Sequence, residues 1–234
     1  MQNREFWTRE RQGRPRPAAA TIVGIVLLVA GLACFGWVGY QLVGTDVVAQ
    51  RAYDQGASGL RSQWAPRPGG GEPVTSTDGT GPAARPVPGT ALALLRVPRF
   101  GADFEVPVVA GTDLRDLSRG VGHYDGTAAP GEVGNFALAG HRITHGQPFA
   151  KLLTLRKGDQ VVVETRAAVF TYVMDSSPAN LTVKDTAGWV LDPVPDEAGA
   201  RPTQPLITLT TCQDLFHSPD RSVGFGHLES TRNK

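Results

Sequence analysis

The chain has 234 residues, 23 Lys and Arg against 22 Asp and Glu, and a formal net charge of +1. Such a length allows one ordinary folded core with appendages. With balanced charge and no basic stripe interleaved with aromatics, there is no electrostatic case for a DNA or RNA partner.

Residues 1–17 form a basic tail with Arg4, Arg9, Arg11, Arg14 and Arg16. Residues 18–40 are a 23-residue apolar run without a charge. At about 1.5 Å per residue such a run crosses a hydrocarbon core of about 30 Å. A cleaved signal peptide would have a shorter apolar stretch followed by a small-x-small cleavage site. Here the run closes on Phe35, Trp37 and Tyr40, which suit a membrane interface. A retained single-pass anchor is expected. The arginines before it, against Arg51 alone soon after it, orient the N-terminus to the cytoplasm and the remainder outside the cell.

Residues 41–65 read as a juxtamembrane helix, weakly amphipathic through Leu42, Val47, Val48, Tyr53 and Leu60. Residues 66–89 hold six Pro and six Gly in 24 positions and almost no large apolar side chains. That composition cannot offset chain entropy by burial, so a disordered linker is expected.

Residues 90–234 are the folded domain. Short runs rich in Val, Leu, Thr and aromatics, bounded by Gly, Pro or Asp, predict strands at 91–97, 104–109, 135–140, 160–165, 169–175, 206–211 and 222–228. Helical segments are predicted at 112–118, with Thr112 as N-cap, and at 149–155. Many short strands and few helices give an all-β class, a closed barrel or a sandwich. The Pro-punctuated stretch 176–205 reads as a functional loop or lid.

Two cysteines are present. Cys34 falls in the apolar run, where a small apolar residue needs no further explanation. Cys212 is then the lone thiol of an exported domain, either a small buried hydrophobe or a reactive group. It ends the run Pro-Leu-Ile-Thr-Leu-Thr-Thr-Cys, and Arg221, nine residues on, opens the next strand. If those strands are neighbours, thiol and guanidinium meet, and a nearby cation favours the thiolate nucleophile. An imidazole is the usual partner. His141 closes the run Asn-Phe-Ala-Leu-Ala-Gly-His, and His217, in the loop after Cys212, is the rival base. The spacing from His141 to His145 is that of a zinc pair, but the metalloprotease pattern needs Glu after the first His and a helix, and position 142 is Arg. His123 and His227 read as structural or surface residues. No metal site and no cofactor are expected.

Together, Leu138-Ala-Gly-His-Arg142, Gly146-x-Pro-Phe149, Gly158-Asp159, Thr208-Leu-Thr-Thr-Cys212 and Arg221 resemble a sortase of class E, the housekeeping-like type of high-GC Gram-positive bacteria. The resemblance implies an eight-stranded sortase-type β-barrel preceded by one transmembrane helix and a linker. It implies Cys212 as nucleophile, His141 as its partner and Arg221 as oxyanion or substrate clamp. Thr211, beside the nucleophile, and Tyr124, in Gly122-His-Tyr, become candidates for substrate contact. The implied partners are secreted proteins with a Leu-Ala-x-Thr-Gly-like C-terminal sorting signal, cut between Thr and Gly, and a cell-wall amine of peptidoglycan. One departure is the glycine-rich Ser-Val-Gly-Phe-Gly after Arg221, which bears on the shape of the groove wall. Other wall cysteine enzymes fit less well. An L,D-transpeptidase would need His-x-x-x-Ser-x-Gly-Cys, and NlpC/P60-like peptidases place Cys before His. The non-enzymatic alternative is an anchored barrel that binds ligands and buries Cys212.

Overall fold

A computed structural model of the chain describes residues 19–40, 44–65, 87–212 and 219–234. The basic tail, most of the expected linker and His217 lie outside the described residues. The chain forms two compact units, residues 1–40 and 41–234. In the first, α1 (Ala19–Gly39) is one continuous helix with every side chain exposed, long and apolar enough to cross a membrane.

The second unit opens with α2 (Thr45–Trp64), which buries Thr45, Ala49, Tyr53, Ala57 and Leu60. Spacings of three and four residues put these on one helical face. That face joins the barrel, Ala49 and Tyr53 within the main core and Ala57 and Leu60 against Leu94.

Nine strands follow: β1 (Ala91–Arg96), β2 (Glu105–Ala110), β3 (Val121–His123), β4 (Gly134–Ala139), β5 (Gln160–Glu164), β6 (Ala168–Met174), β7 (Thr182–Lys184), β8 (Pro205–Cys212) and β9 (Asp220–Asn233). Eight of them close a barrel in the order β6-β5-β1-β2-β3-β4-β8-β9, and β9 returns to β6. The pairs β2–β3 and β4–β8 are parallel and the other pairs are antiparallel. Closure leaves few free strand edges. β7 lies outside the ring, paired to the first residues of β9.

Inward side chains alternate along each strand as the pleat requires. Phe136 and Leu138 of β4, Ile207 and Leu209 of β8, and Tyr172 and Met174 of β6 fill the interior. Phe149, Leu152 and Leu155 join that core. Their spacing of three suits a 3-10 turn, found at Leu152–Thr154, and not the α-helix expected over 149–155. The other expected helix shortens to α3 (Leu114–Leu117), where Asp113, not Thr112, takes the N-cap position.

The glycines after Arg221 permit close packing. A Cβ on Gly224 would lie 2.5 Å from the Pro178 ring, and one on Gly226 would lie 2.5 Å from the Val173 carbonyl. The stretch 176–205 is held at several points. β7 pairs with β9, and Asn135 Nδ2 donates to the carbonyls of Val190 (3.1 Å) and Asp192 (3.0 Å).

Candidate active site

Alternation along β8 sends Ile207, Leu209 and Thr211 into the barrel and leaves Thr208, Thr210 and Cys212 on the outer face. Register puts Thr208, Thr210 and Cys212 opposite Phe225, Val223 and Arg221 of β9. On the other side Ala137 and Ala139 of β4 lie beside Thr208 and Thr210. Access along this face rises toward the strand end. Thr208 and Ala137 are sealed, whereas Cys212 is half-buried.

Cys212 and Arg221 are direct cross-strand partners. Such partners hold their Cβ atoms about 5 Å apart, within reach of a long guanidinium. The guanidinium donates to the Asp220 carbonyl (3.2 Å) and lies 3.7 Å from Asp185, which follows β7. The stretch expected to be a lid therefore supplies a carboxylate to this arginine.

His141 is the second residue after β4. Its place is secured through Gly140, whose N–H donates to the Thr210 carbonyl (3.1 Å) and whose carbonyl accepts from the Thr211 hydroxyl (2.8 Å). A Cβ on Gly140 would lie 2.6 Å from the buried Phe149 ring, so the position requires glycine. The His141 carbonyl then accepts from Phe149 N–H at 3.0 Å. Thr211, expected as a substrate contact, faces inward because it is one residue out of phase with Cys212. It is only 2% exposed, and its hydroxyl serves the backbone of Gly140.

The His141 ring stacks on that of His145, centroids 4.9 Å apart and planes at 24°. Burial, with a smaller contribution from the charge of His145, pushes the His141 pKa down to about 4. Its Nε2 is buried with no hydrogen-bond partner among the described residues. The position of His145 against His141 was not legible in the sequence, where the four-residue spacing suggested only a metal pair. Among the described residues no group of three potential metal ligands occurs.

Tyr124 lies against the same outer face. Its hydroxyl is 3.2 Å from Thr210 Oγ1, and its N–H donates to the Ala137 carbonyl (3.0 Å). Thr210 is thus the outward neighbour of both Tyr124 and Cys212, a place the sequence reading gave to Thr211. His123 Nε2 bonds to the Ala128 carbonyl (2.9 Å) and Thr127, and its ring leans on Phe136. His227 meets Asp175 at 2.9 Å.

Comparison with known proteins identifies the family. The sortase domain model matches residues 95–229. The chain is 38% identical over 239 residues to Sortase SrtE1 of Streptomyces coelicolor, covering 95% of this chain and 62% of that protein. It thus spans less than two thirds of that relative's length. It is 33% identical to Sortase SrtE2 of the same organism, over 95% of this chain and 87% of that one. The crystal structure of Sortase E1 from S. coelicolor with a tripeptide in its active site superposes with a TM-score of 0.55 at 39% identity, over 63% of this chain and 93% of the other. With a family match over more than half its length and class E relatives above 30% identity, this chain belongs to the sortase family.

Proposed function

We propose that this protein is a membrane-anchored cysteine transpeptidase. It would cut a Leu-Ala-x-Thr-Gly-like sorting signal between Thr and Gly and pass the Thr carbonyl to a cell-wall amine. The observation that carries the proposal is the cross-strand pairing of Cys212 with Arg221, beside a strand tied through Thr211 and Gly140 to the residue before His141.

The site holds one reactive proton between Cys212 and His141. Burial favours the neutral form of His141, which can therefore accept that proton. When the thiol proton passes to His141, the sulfur attacks the Thr carbonyl carbon, and the carbonyl π electrons move to oxygen. Arg221, always charged and rich in donors, stabilises that oxyanion. Collapse breaks the C–N bond, His141 gives its proton to the departing Gly amine, and a thioester remains on Cys212. The acceptor amine then attacks the thioester, losing a proton to His141, and expelled sulfur recovers the proton.

Tyr124 and Thr210, on the same outer face, are the residues to flank a bound signal. Thr211 contributes indirectly, by holding Gly140. The apolar helix α1 supports a single-pass anchor, with the arginine-rich tail in the cytoplasm and the catalytic domain outside. Enzyme, secreted substrate and lipid-linked acceptor would then share one layer, which raises their effective concentration. The direct test is intact-mass analysis after mixing the enzyme with a Leu-Ala-x-Thr-Gly peptide at low amine concentration. A thioester adduct on wild type, absent from Cys212→Ala, is expected. An adduct on the Cys212→Ala variant would overturn the assignment.

A further inference from the structure

The loop that follows β4 is held in place from outside the barrel. Thr144 (φ 63°), His145 (φ 50°), Gly146 (φ 78°) and Gln147 (φ 49°) are consecutive residues in left-handed backbone conformation. Only glycine adopts it without cost, so three residues in four oppose this shape and something must hold it.

The first turns of α2 do so. Asp46 accepts from Gly146 N–H (2.9 Å) through one carboxylate oxygen and from Gln147 Nε2 (2.7 Å) through the other. The Thr45 hydroxyl accepts from His145 N–H (3.3 Å), and the Tyr53 hydroxyl donates to the His145 carbonyl (2.7 Å). The Tyr53 ring is 3% exposed and lies where a Cβ on Gly146 would fall, 2.8 Å away. Both backbone polar groups of His145 are thus bound to α2, and its ring is stacked on His141.

We infer that α2 is part of the catalytic apparatus, with Asp46 and Tyr53 as positioning residues that hold His141 in register through His145. This rests on the reading of His141 as the proton carrier of the site. Further along, the helix packs on the barrel through Ala57 and Leu60 against Leu94, with Trp64 beside them, and Ala49 and the Tyr53 ring join the main core. The first turns contact the loop that carries the histidines. A helix that follows the membrane anchor in the chain thereby belongs to the site.

The experiment uses the full-length chain in detergent micelles, with Asp46→Ala, Asp46→Asn, Tyr53→Phe and His141→Ala. Two substrates are compared: a Leu-Ala-x-Thr-Gly peptide, whose amine leaving group needs a proton, and the nitrophenyl ester of Leu-Ala-x-Thr, whose leaving group does not. Misplacing His141 should cost Asp46→Ala and Tyr53→Phe about tenfold or more in kcat/KM on the peptide, with a smaller loss on the ester, which needs His141 to take the thiol proton but not to protonate the leaving group. Asp46→Asn keeps an acceptor for Gly146 N–H and should recover most of the peptide activity. Tyr53→Phe removes one oxygen and keeps the ring, so it reports even if Asp46→Ala folds poorly. Equal losses on both substrates, no loss, or no recovery with Asn overturns the role of α2. If wild type leaves both substrates uncut, or His141→Ala cuts the peptide normally, the reading of the site itself fails and this inference with it.

Discussion

Thr211 donates its hydroxyl to the Gly140 carbonyl at 2.8 Å, so the residue before Cys212 holds the residue before His141. Both partners sit on the parallel strand pair β4–β8 or just past its end, and the bond crosses from one functional strand to the other. Thr211→Val keeps shape and volume but removes the donor. Leaving the carbonyl without it should cost about 1–3 kcal/mol of stability. Peptide cleavage should fall beyond what the small unfolded fraction explains, and Thr211→Ser should restore it. Thermal melts and kcat/KM on the same preparations check this. A Val variant with wild-type cleavage would show that the bond does not position His141.

Arg221→Lys keeps the charge opposite Cys212 but not the planar fork of donors. If Arg221 stabilises the oxyanion, the loss should fall on kcat, by about 2–4 kcal/mol of transition-state stabilisation. If it clamps substrate carbonyls in ground and transition states alike, KM should rise with kcat little changed. Asp185→Asn, which withdraws the carboxylate 3.7 Å from the guanidinium, should leave kcat within a few-fold of wild type. Steady-state kinetics on the two variants separate these outcomes. Wild-type kinetics for Arg221→Lys would make the arginine a structural residue of β9.

Gly140→Ala places a methyl group 2.6 Å from the ring of Phe149, which is fully buried and cannot swing away. Overpacking of this kind costs about 1–3 kcal/mol. The displaced residue lies immediately before His141, so cleavage should fall more steeply than the melting temperature. Differential scanning calorimetry beside peptide kinetics tests it. An unchanged melting temperature would mean that the loop relaxes around the methyl group.

The strands legible in the sequence were those whose apolar residues alternate against a core, such as β1, β4 and β8. β3 and β7 were missed because each has three residues. β7 carries Thr182, Val183 and Lys184 on the outside of the ring, with no buried side to leave a pattern. β9 runs five residues past its expected end, since Glu229 to Asn233 are polar and exposed, and Ser230 to Asn233 continue the pairing with β6 past a register shift. The thiol and the arginine were legible because a strand end and a strand start nine residues apart can meet only across one turn. The contacts of Asp46 and Tyr53 with the loop after β4, and of Asp185 with Arg221, were not, because each comes from a remote segment and carries no local motif.

The pH dependence should expose the His141 environment. Burial is the larger cause of its low pKa and the charge of His145 the smaller. In the proposed mechanism the active form is the Cys212–His141 pair carrying one proton, so the profile of kcat/KM should be bell-shaped and report the pair. Its acid limb should lie near the His141 value of about 4, well below an ordinary histidine at 6.5. His145→Ala removes a like charge and opens the ring to water. Both changes favour the imidazolium, so the acid limb should move up. His145→Phe keeps a covering ring without the charge, so it should move the limb less. The same shift sets a stability dependence. The folded state holds His141 below its unfolded pKa, so between pH 6.5 and about 4 the unfolded chain binds more protons. Stability from this group is present above that window and is lost as pH falls through it. His141→Gln should flatten that part of the stability curve. Chemical denaturation at several pH values, paired with kinetics on His145→Ala, measures both effects. An acid limb at the ordinary histidine value that stays put in His145→Ala would mean that His141 is not the titrating partner of Cys212.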